Sequence, residues 1–308
     1  MPKEVFGANY AFLKDPQLMS ADEMIAIAGA FSQLGVTKFR LTGGEPLLRA
    51  DLVEIVRRLK VEVGAPEVAL TTNGWLLRRH AADLKAAGLD RLNVSVDSLD
   101  AATAGTMNGL GFDSARVLSA IDHATALGLP VKINAAVRRG VNDHEIEAMA
   151  EYFRERNLTL RFIEFMDVGT TNGWKSDEVV PAAEIVDRIN RKWGIEPISP
   201  AYRGEVAARY RYRDGAGEIG IIASITEPFC RDCHRARLSA SGKLHTCLFS
   251  DLGWDVLQKY RDTKDLGEVT AYVAKIWGIR KDRYSDERAE RAERGDLPAK
   301  PEMSYLGG

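Results

Sequence analysis

The sequence predicts an α/β fold: an open, barrel-like parallel sheet over residues 1–195, then a smaller α+β region over 196–308. Two features predict it. Between residues 20 and 190, short β-branched runs alternate with segments whose apolar residues recur at i, i+3 and i+4. That is the pattern of a parallel sheet covered by helices. Beyond residue 195 the alternation stops. A hairpin pattern, a cysteine cluster and a charged helical stretch (251–294) take its place.

The first helix is expected at 19–35, MSADEMIAIAGAFSQLG. Ser20 stands at the N-cap, Glu23 completes a capping box and Gly35 closes the C-terminal end. Strands are expected in KFRLTGGEP (38–46), EVALTTNG (67–74), RLNVSVDS (91–98), VKINAAV (131–137) and LRFIEFM (160–166). Further helices are expected at 50–64, 78–88, 113–128 and 143–157. Five such units are too few to close an eight-stranded barrel. YRGEVAARYRYRDGAGEIGIIASI (202–225) reads as two antiparallel strands turning at Asp214–Gly215. The charged run 280–295 reads as a solvated helix face, and the chain ends in an extended LPAKPEMSYLGG.

Composition excludes several function classes. The net charge is −2, so no basic field points to nucleic acid or an acidic membrane surface. No apolar run approaches the ~18–20 residues of a membrane span. The N-terminal MPKEVFGANYAFLKDP lacks the charged-then-apolar order of a signal peptide. Three cysteines in 308 residues do not make a secreted disulfide framework. A reducing, cytoplasmic compartment is expected, with the thiols used for metal or chemistry.

All three cysteines fall in FCRDCHRARLSASGKLHTC, at Cys230, Cys233 and Cys247. The C-x2-C pair is a chelate, and a third thiol from a neighbouring strand makes three ligands. Arg231, Arg235, Arg237 and Lys243 favour the thiolate forms. Three readings stand at this point: structural zinc completed by His234 or His245, an iron–sulfur cluster with one open iron, and buried free thiols.

In parallel α/β folds, sites gather at the carboxyl ends of the strands. Polar residues lie there in every unit: Thr42–Glu45, Thr71–Asn73, Ser95 and Asp97, Asn134, Glu164 and Met166. The turn LTGGEPLLR (41–49) allows close backbone approach of a ligand but is neither a dinucleotide fingerprint nor a P-loop. Arg40, Lys132 and Arg161 lie on strands, and R-x-R at Arg235 and Arg237 points two guanidiniums to one face. Such forks match phosphate oxygens, so a phosphate-bearing substrate is expected. The competing reading pairs these cations with Glu45, Asp97 or Glu164. The terminal Gly307–Gly308 reads as a frayed tail or as a segment able to thread a narrow cleft.

FRLTGGEPLLR (39–49), ALTTNGWLL (69–77), LNVSVDSLD (92–100), VKINAAVRRGVND (131–143), LRFIEFM (160–166), FCRDCHRARLSASGKLHTCLF (229–249) and the final Gly-Gly occur in this order. Together they resemble the GTP 3′,8-cyclase family of radical S-adenosylmethionine enzymes, from Met1 to Gly308. GGEP alone would mark only the wider superfamily.

The resemblance implies an incomplete (β/α)6 TIM-like barrel, two [4Fe–4S] clusters and S-adenosylmethionine. It implies a reaction in which a 5′-deoxyadenosyl radical takes the 3′ hydrogen of GTP and C3′ then attacks C8. This yields (8S)-3′,8-cyclo-7,8-dihydroguanosine 5′-triphosphate at the first step of molybdenum cofactor biosynthesis. Carried over residue by residue, Cys230, Cys233 and Cys247 hold the C-terminal cluster, whose open iron meets the guanine. Arg40, Thr71, Lys132, Arg235 and Arg237 bind GTP, and Gly44, Ser95 and Met166 bind S-adenosylmethionine. Arg161 assists in the pocket, and Gly307 and Gly308 form a tail reaching the site. The implied partners are an electron-donor protein and a downstream cyclic pyranopterin monophosphate synthase, with a homodimer as the implied assembly.

The resemblance departs at one place. The family's C-x3-C-x2-C motif, which holds the second cluster just before a Met-Pro pair, is not in this sequence, which starts at that pair. The expectation is that Met1 is an internal methionine of a longer chain and that a first strand, an arginine contacting GTP and three cysteines precede it. With these residues alone the polypeptide should not cleave S-adenosylmethionine. A degenerate relative, a metal-stabilised nucleotide-binding module, is the alternative.

Overall fold

The computed structural model describes residues 18–108, 113–169, 173–250 and 252–293. The elements run α1 (Ala21–Gln33), β1 (Lys38–Leu41), α2 (Leu52–Val61), β2 (Glu67–Thr72), α3 (Leu77–Ala86), β3 (Arg91–Ser95), α4 (Ala101–Asn108) and α5 (Ser114–Ala126). They continue with β4 (Val131–Val137), α6 (Ile146–Glu155), β5 (Thr159–Glu164), α7 (Ala182–Trp193), β6 (Ile195–Ile198), β7 (Ala208–Tyr212) and β8 (Glu218–Ile222). Short strands β9 (Arg237–Leu238), β10 (Lys243–His245) and β11 (Trp254–Asp255) follow, then α8 (Val256–Thr263), α9 (Leu266–Gly278) and α10 (Tyr284–Glu293).

The main sheet has the order β1-β2-β3-β4-β5-β8-β7-β6. The five expected strands are present, pair in parallel and stand in sequence order. The hairpin turns as expected, with Gly215 at φ 81° and its N–H on the Tyr212 carbonyl at 3.0 Å. It extends the same sheet rather than starting another: β8 pairs in parallel with β5, Leu160 opposite Ile219 and Arg161 opposite Gly220. Residue 195 therefore opens a strand of the continuous sheet, and the second, three-stranded sheet, β11-β10-β9, holds the segment around the cysteines. α4, α7 and β6 were not expected.

The strands alternate strictly. Val68 and Leu70, Leu92 and Val94, Val131, Ile133 and Ala135, Leu160 and Phe162, and Ile219 and Ile221 are buried against the helices in one core. The intervening residues face the concave side. This departs from the near-continuous apolar runs of a parallel sheet covered on both faces.

α1 joins the two parts of the molecule. Its capping box forms as expected, Glu23 N–H to Ser20 Oγ at 3.2 Å and Ser20 N–H to Glu23 Oε2 at 3.0 Å. Ile25 and Ala28 pack on the barrel core. Ile27 and Ala30 enter a second core with Leu244, Leu257, Val269, Val273 and Ile276. Arg261 on α8 pairs with Glu23 at 2.7 Å. Over residues 280–288 the charged run differs in part from the solvated face expected of 280–295, whose last residues lie outside the described side chains. Tyr284 is buried, and the Arg280 and Arg288 side chains are only 11% and 12% exposed. Among the described residues no helix is long and apolar enough to cross a membrane.

Candidate active site

The concave residues of β1 to β5 and β8 form a polar bowl. Strand register sets them side by side: Thr71 opposite Asn93, Asn93 opposite Lys132, Ser95 opposite Asn134, Asn134 opposite Arg161. Arg161 Nη2 donates to Asn93 Oδ1 at 2.8 Å, and Asn93 Nδ2 donates to Thr71 Oγ1 at 3.4 Å. Gly220 leaves the room Arg161 needs, since a Cβ there would lie 2.9 Å from Arg161 Cγ. At the lower edge Glu67 binds both Arg91 (2.7 Å) and Lys38 (3.2 Å).

The competing reading, in which the cations pair with Glu45, Asp97 or Glu164, does not hold. Glu45 accepts from Leu47 N–H, Thr72 Oγ1 and Asn73 N–H, which ties the GGEP turn to the end of β2. Glu164 accepts from Ala182, Ile225 and Thr226 N–H groups and so pins the start of α7 and the exit of β8. Asp97 accepts from Ala136 N–H. The carboxylates are spent on backbone N–H groups and threonine hydroxyls, and among the described residues the buried Nε atoms of Arg161 and Arg235 and Oδ1 of Asn134 have no partner.

The bowl's electrostatics follow. Burial, then the charges of Arg40 and Arg91, brings Arg161 down to about 10. Burial, then Arg161 and Arg91, lowers Lys132; Arg40 is exposed to the open bowl, and the protein mass around it, then the charge of Arg91, lowers it. Arg237, on β9 across the opening, is brought down to about 10 by burial, then by Arg235 and Arg40. Four cations that depress one another make a place for several negative charges on one ligand.

The thiols lie beyond Arg235 and Arg237, which act on Arg40 of the bowl. Cys230 opens a tight turn, with Cys233 N–H on its carbonyl at 3.2 Å, and Cys247 follows β10. Arg237 lies within electrostatic reach of both Cys233 and Cys247. Burial pushes the Cys233 thiol up. The charge and backbone N–H of Arg235, with Arg280, outweigh it and bring the thiol down to about 7. Cys247 is pushed up, by burial first.

Each of the two histidines weighed as zinc ligands has one ring nitrogen at a backbone carbonyl. His234 Nε2 lies 2.9 Å from the Arg203 carbonyl, and His245 Nδ1 lies 3.4 Å from the Ser250 carbonyl. Among the described residues no three His, Cys, Asp or Glu side chains are placed to hold a single metal ion. Three thiols on one segment beside arginine side chains are a donor set that an iron–sulfur cluster with one open iron can use.

Two family models cover this chain: the Radical SAM superfamily over residues 6–153 and Molybdenum Cofactor Synthesis C over residues 158–286. The GTP 3′,8-cyclase of Acidothermus cellulolyticus is 47% identical, across 100% of this chain and 91% of that protein. The GTP 3′,8-cyclase of Staphylococcus saprophyticus is 43% identical with the same coverage. The chain belongs to the GTP 3′,8-cyclase family.

The structure brings most positions matched to this family into one place. Arg40, Thr71, Lys132 and Arg161 line the bowl. Arg235 and Arg237 stand beside the thiols, Arg235 Nη2 at 3.5 Å from Cys233 Sγ. Gly44 is exposed in the turn after β1, Ser95 is exposed at the end of β3, and Met166 is half-buried two residues beyond β5. Gly307 and Gly308 lie outside the described residues.

Several neighbours were not anticipated. Asn93 and Gly220 hold Arg161. Tyr202 lies under the Lys38 ammonium, 4.7 Å from ring centroid to Nζ, and Phe229 lies under Arg235 at 5.0 Å. Both rings line a cavity of about 940 Å³ beside the cysteine turn. The period-2 pattern of RLNVS and LRFIE carried the signal for Asn93. Tyr202 and Phe229 sit in irregular segments and left none.

Proposed function

We propose that this chain is a GTP 3′,8-cyclase of molybdenum cofactor biosynthesis, with GTP held between the bowl and the cysteine segment. The observation that carries it is the set Arg40, Lys132, Arg161 and Arg235, cations with no carboxylate partner among the described residues, together with the three thiols beside Arg235 and Arg237.

Cys230, Cys233 and Cys247 would hold a [4Fe–4S] cluster. When bound, it supplies an iron with an open position for a donor atom of the base. Arg40, Lys132, Arg235 and Arg237 neutralise the triphosphate and fix its direction. Thr71, through Asn93, sets the angle of Arg161, which projects into the pocket from the opposite wall. Ser95, Gly44 and Met166, at the exits of β3, β1 and β5, line the rim where S-adenosylmethionine would lie. The three cysteines of this sequence are all taken by the one cluster, so a second cluster would need thiols beyond these 308 residues. An electron-donor protein, an enzyme consuming the cyclised nucleotide, a homodimer and a cytoplasmic location belong to the same reading.

Anaerobic reconstitution should load about four irons per chain. Zinc without absorbance near 400 nm would overturn the cluster assignment. Arg235→Ala and Lys132→Ala should each weaken GTP binding by about 10-fold or more in a titration of the reconstituted chain. Unchanged affinity would remove them from the site.

A further inference from the structure

The cysteine segment has little regular structure, yet Cys233 and Cys247 both lie within electrostatic reach of Arg237. The short segment 280–288 touches both parts of it. Arg280 Nη1 donates to the Cys233 carbonyl at 2.6 Å, and Arg280 is held by Asp282 at 3.1 Å. α10 rests on the Cys230–Asp232 turn. The Tyr284 ring stacks on Phe249, with centroids 4.6 Å apart and planes 20° from parallel; Phe249 stands two residues after Cys247, in the turn that Ser250 N–H closes on the Cys247 carbonyl at 3.4 Å. Both halves of the ligand set therefore lean on one stretch of nine residues.

That stretch is pinned to the barrel by a buried ion pair. Arg288 Nη2 lies 3.0 Å from Asp167 Oδ1, and the two side chains are 12% and 8% exposed. The Tyr284 hydroxyl donates to Asp167 Oδ2 at 2.9 Å, and Arg288 Nη1 donates to the Ser224 carbonyl at 3.3 Å. Asp167 follows β5 directly after Met166, and Ser224 follows β8. The Arg288 guanidinium also covers the Phe249 and Tyr284 rings, at 5.4 and 5.5 Å. A buried ion pair contributes little net stability compared with apolar packing, but it is exacting about geometry, and removing one partner strands the other charge. Its use here is positional.

We propose that residues 280–288 are a clamp that registers the cysteine ligand set to the exits of β5 and β8, with Asp167, Tyr284 and Arg288 as positioning residues for Cys247 and Arg280 as the positioning residue for Cys233. The inference rests on the reading of the three cysteines as one ligand set. Outer-sphere contacts of this kind orient metal ligands, and their loss weakens binding without touching the ligands.

The test reads the thiols of the metal-free chain. Alkylation by N-ethylmaleimide is followed at each cysteine by mass spectrometry, in native buffer, well below the melting temperature. Arg288→Met should raise the rate at Cys247 by about 10-fold or more through local opening, and Arg288→Lys should restore most of the protection. Tyr284→Phe keeps the ring stack and removes one hydrogen bond, so a rise of only about 2-fold is expected. Arg154→Met is the control, since its partner Asp214 lies at the hairpin turn. It should leave all three rates at the parent value.

Parent-like rates in Arg288→Met, or the same rise in Arg154→Met, would overturn the clamp. Iron loading is scored separately. A parent chain that takes up no iron removes the cluster, while the alkylation rates still decide the clamp.

Discussion

The two walls of the site are built by different means. The bowl is placed by backbone register: once β2, β3, β4 and β5 pair, Thr71, Asn93, Lys132 and Arg161 must stand on one face. The cysteine wall has a three-residue turn, a two-residue strand and a three-residue strand between Cys230 and Cys247. Side-chain contacts from distant segments position it: Arg280 on Cys233, Tyr284 on Phe249, and Arg203 on Asp232 at 2.9 Å. The difference predicts that cations on the bowl tolerate local damage better than cations on the cysteine wall. A strand is held by hydrogen bonds along its whole length, and a loop by a few contacts.

Four measurements distinguish the two walls. Cys247→Ser removes one of three thiolate ligands, and bound iron should fall from about four per chain to less than one. Retention of a full complement would mean that the cysteine wall does not hold the cluster.

Arg161→Ala should weaken GTP binding by about 10- to 100-fold, the worth of a charge-assisted contact. The loss should be equal in metal-free and iron-loaded protein, because strand register places Arg161. For Arg235→Ala the loss should appear mainly in the iron-loaded protein. Equal behaviour of the two variants in both states would erase the distinction between the walls.

Gly220→Ala puts a methyl group where Arg161 Cγ lies 2.9 Å away. A loss of GTP affinity of about 3- to 10-fold is expected, with the far-ultraviolet spectrum unchanged. An affinity equal to the parent's would show that Arg161 reaches its ligand by another path.

The smallest effect concerns Asp97, whose carboxyl is raised to about 6 by burial, against the hydrogen bond from Ala136 N–H. The native form holds its proton to higher pH than the unfolded chain does, so this group lowers stability as pH rises from about 4 to about 6. Asp97→Asn keeps an acceptor and removes the charge. It should raise the melting temperature above pH 6 and leave it unchanged near pH 4. A gain of the same size at both values would remove the titration from the account.

Much of the bowl was legible in the residues. RLNVS, VKINAAV and LRFIE alternate apolar and polar side chains at period 2, and in a parallel sheet that alternation marks a face left for a ligand. The capping box at Ser20 and Glu23 and the turn at Asp214–Gly215 were legible for the same local reason. α4, α7 and β6 were missed. The apolar face of α7, Ile185 and Ile189, acquires meaning only against the sheet it covers. The first part of the charged run, 280–288, was misread, because nothing near Arg288 in sequence shows that Asp167, 121 positions away, draws it inward.

The sequence by itself determined the alternating βα units, the inward row of cations and the clustering of all three thiols, since each follows from neighbours within a few residues and from the two-residue period of a strand. Tertiary structure alone decided that the hairpin's second strand joins β5 in the main sheet, that Glu45, Asp97 and Glu164 serve backbone donors and leave the cations for a ligand, and that segment 280–288 holds the cysteine wall in place. These are pairings between groups far apart in the chain. Which donor a buried carboxylate or guanidinium finds depends on the whole fold that surrounds it.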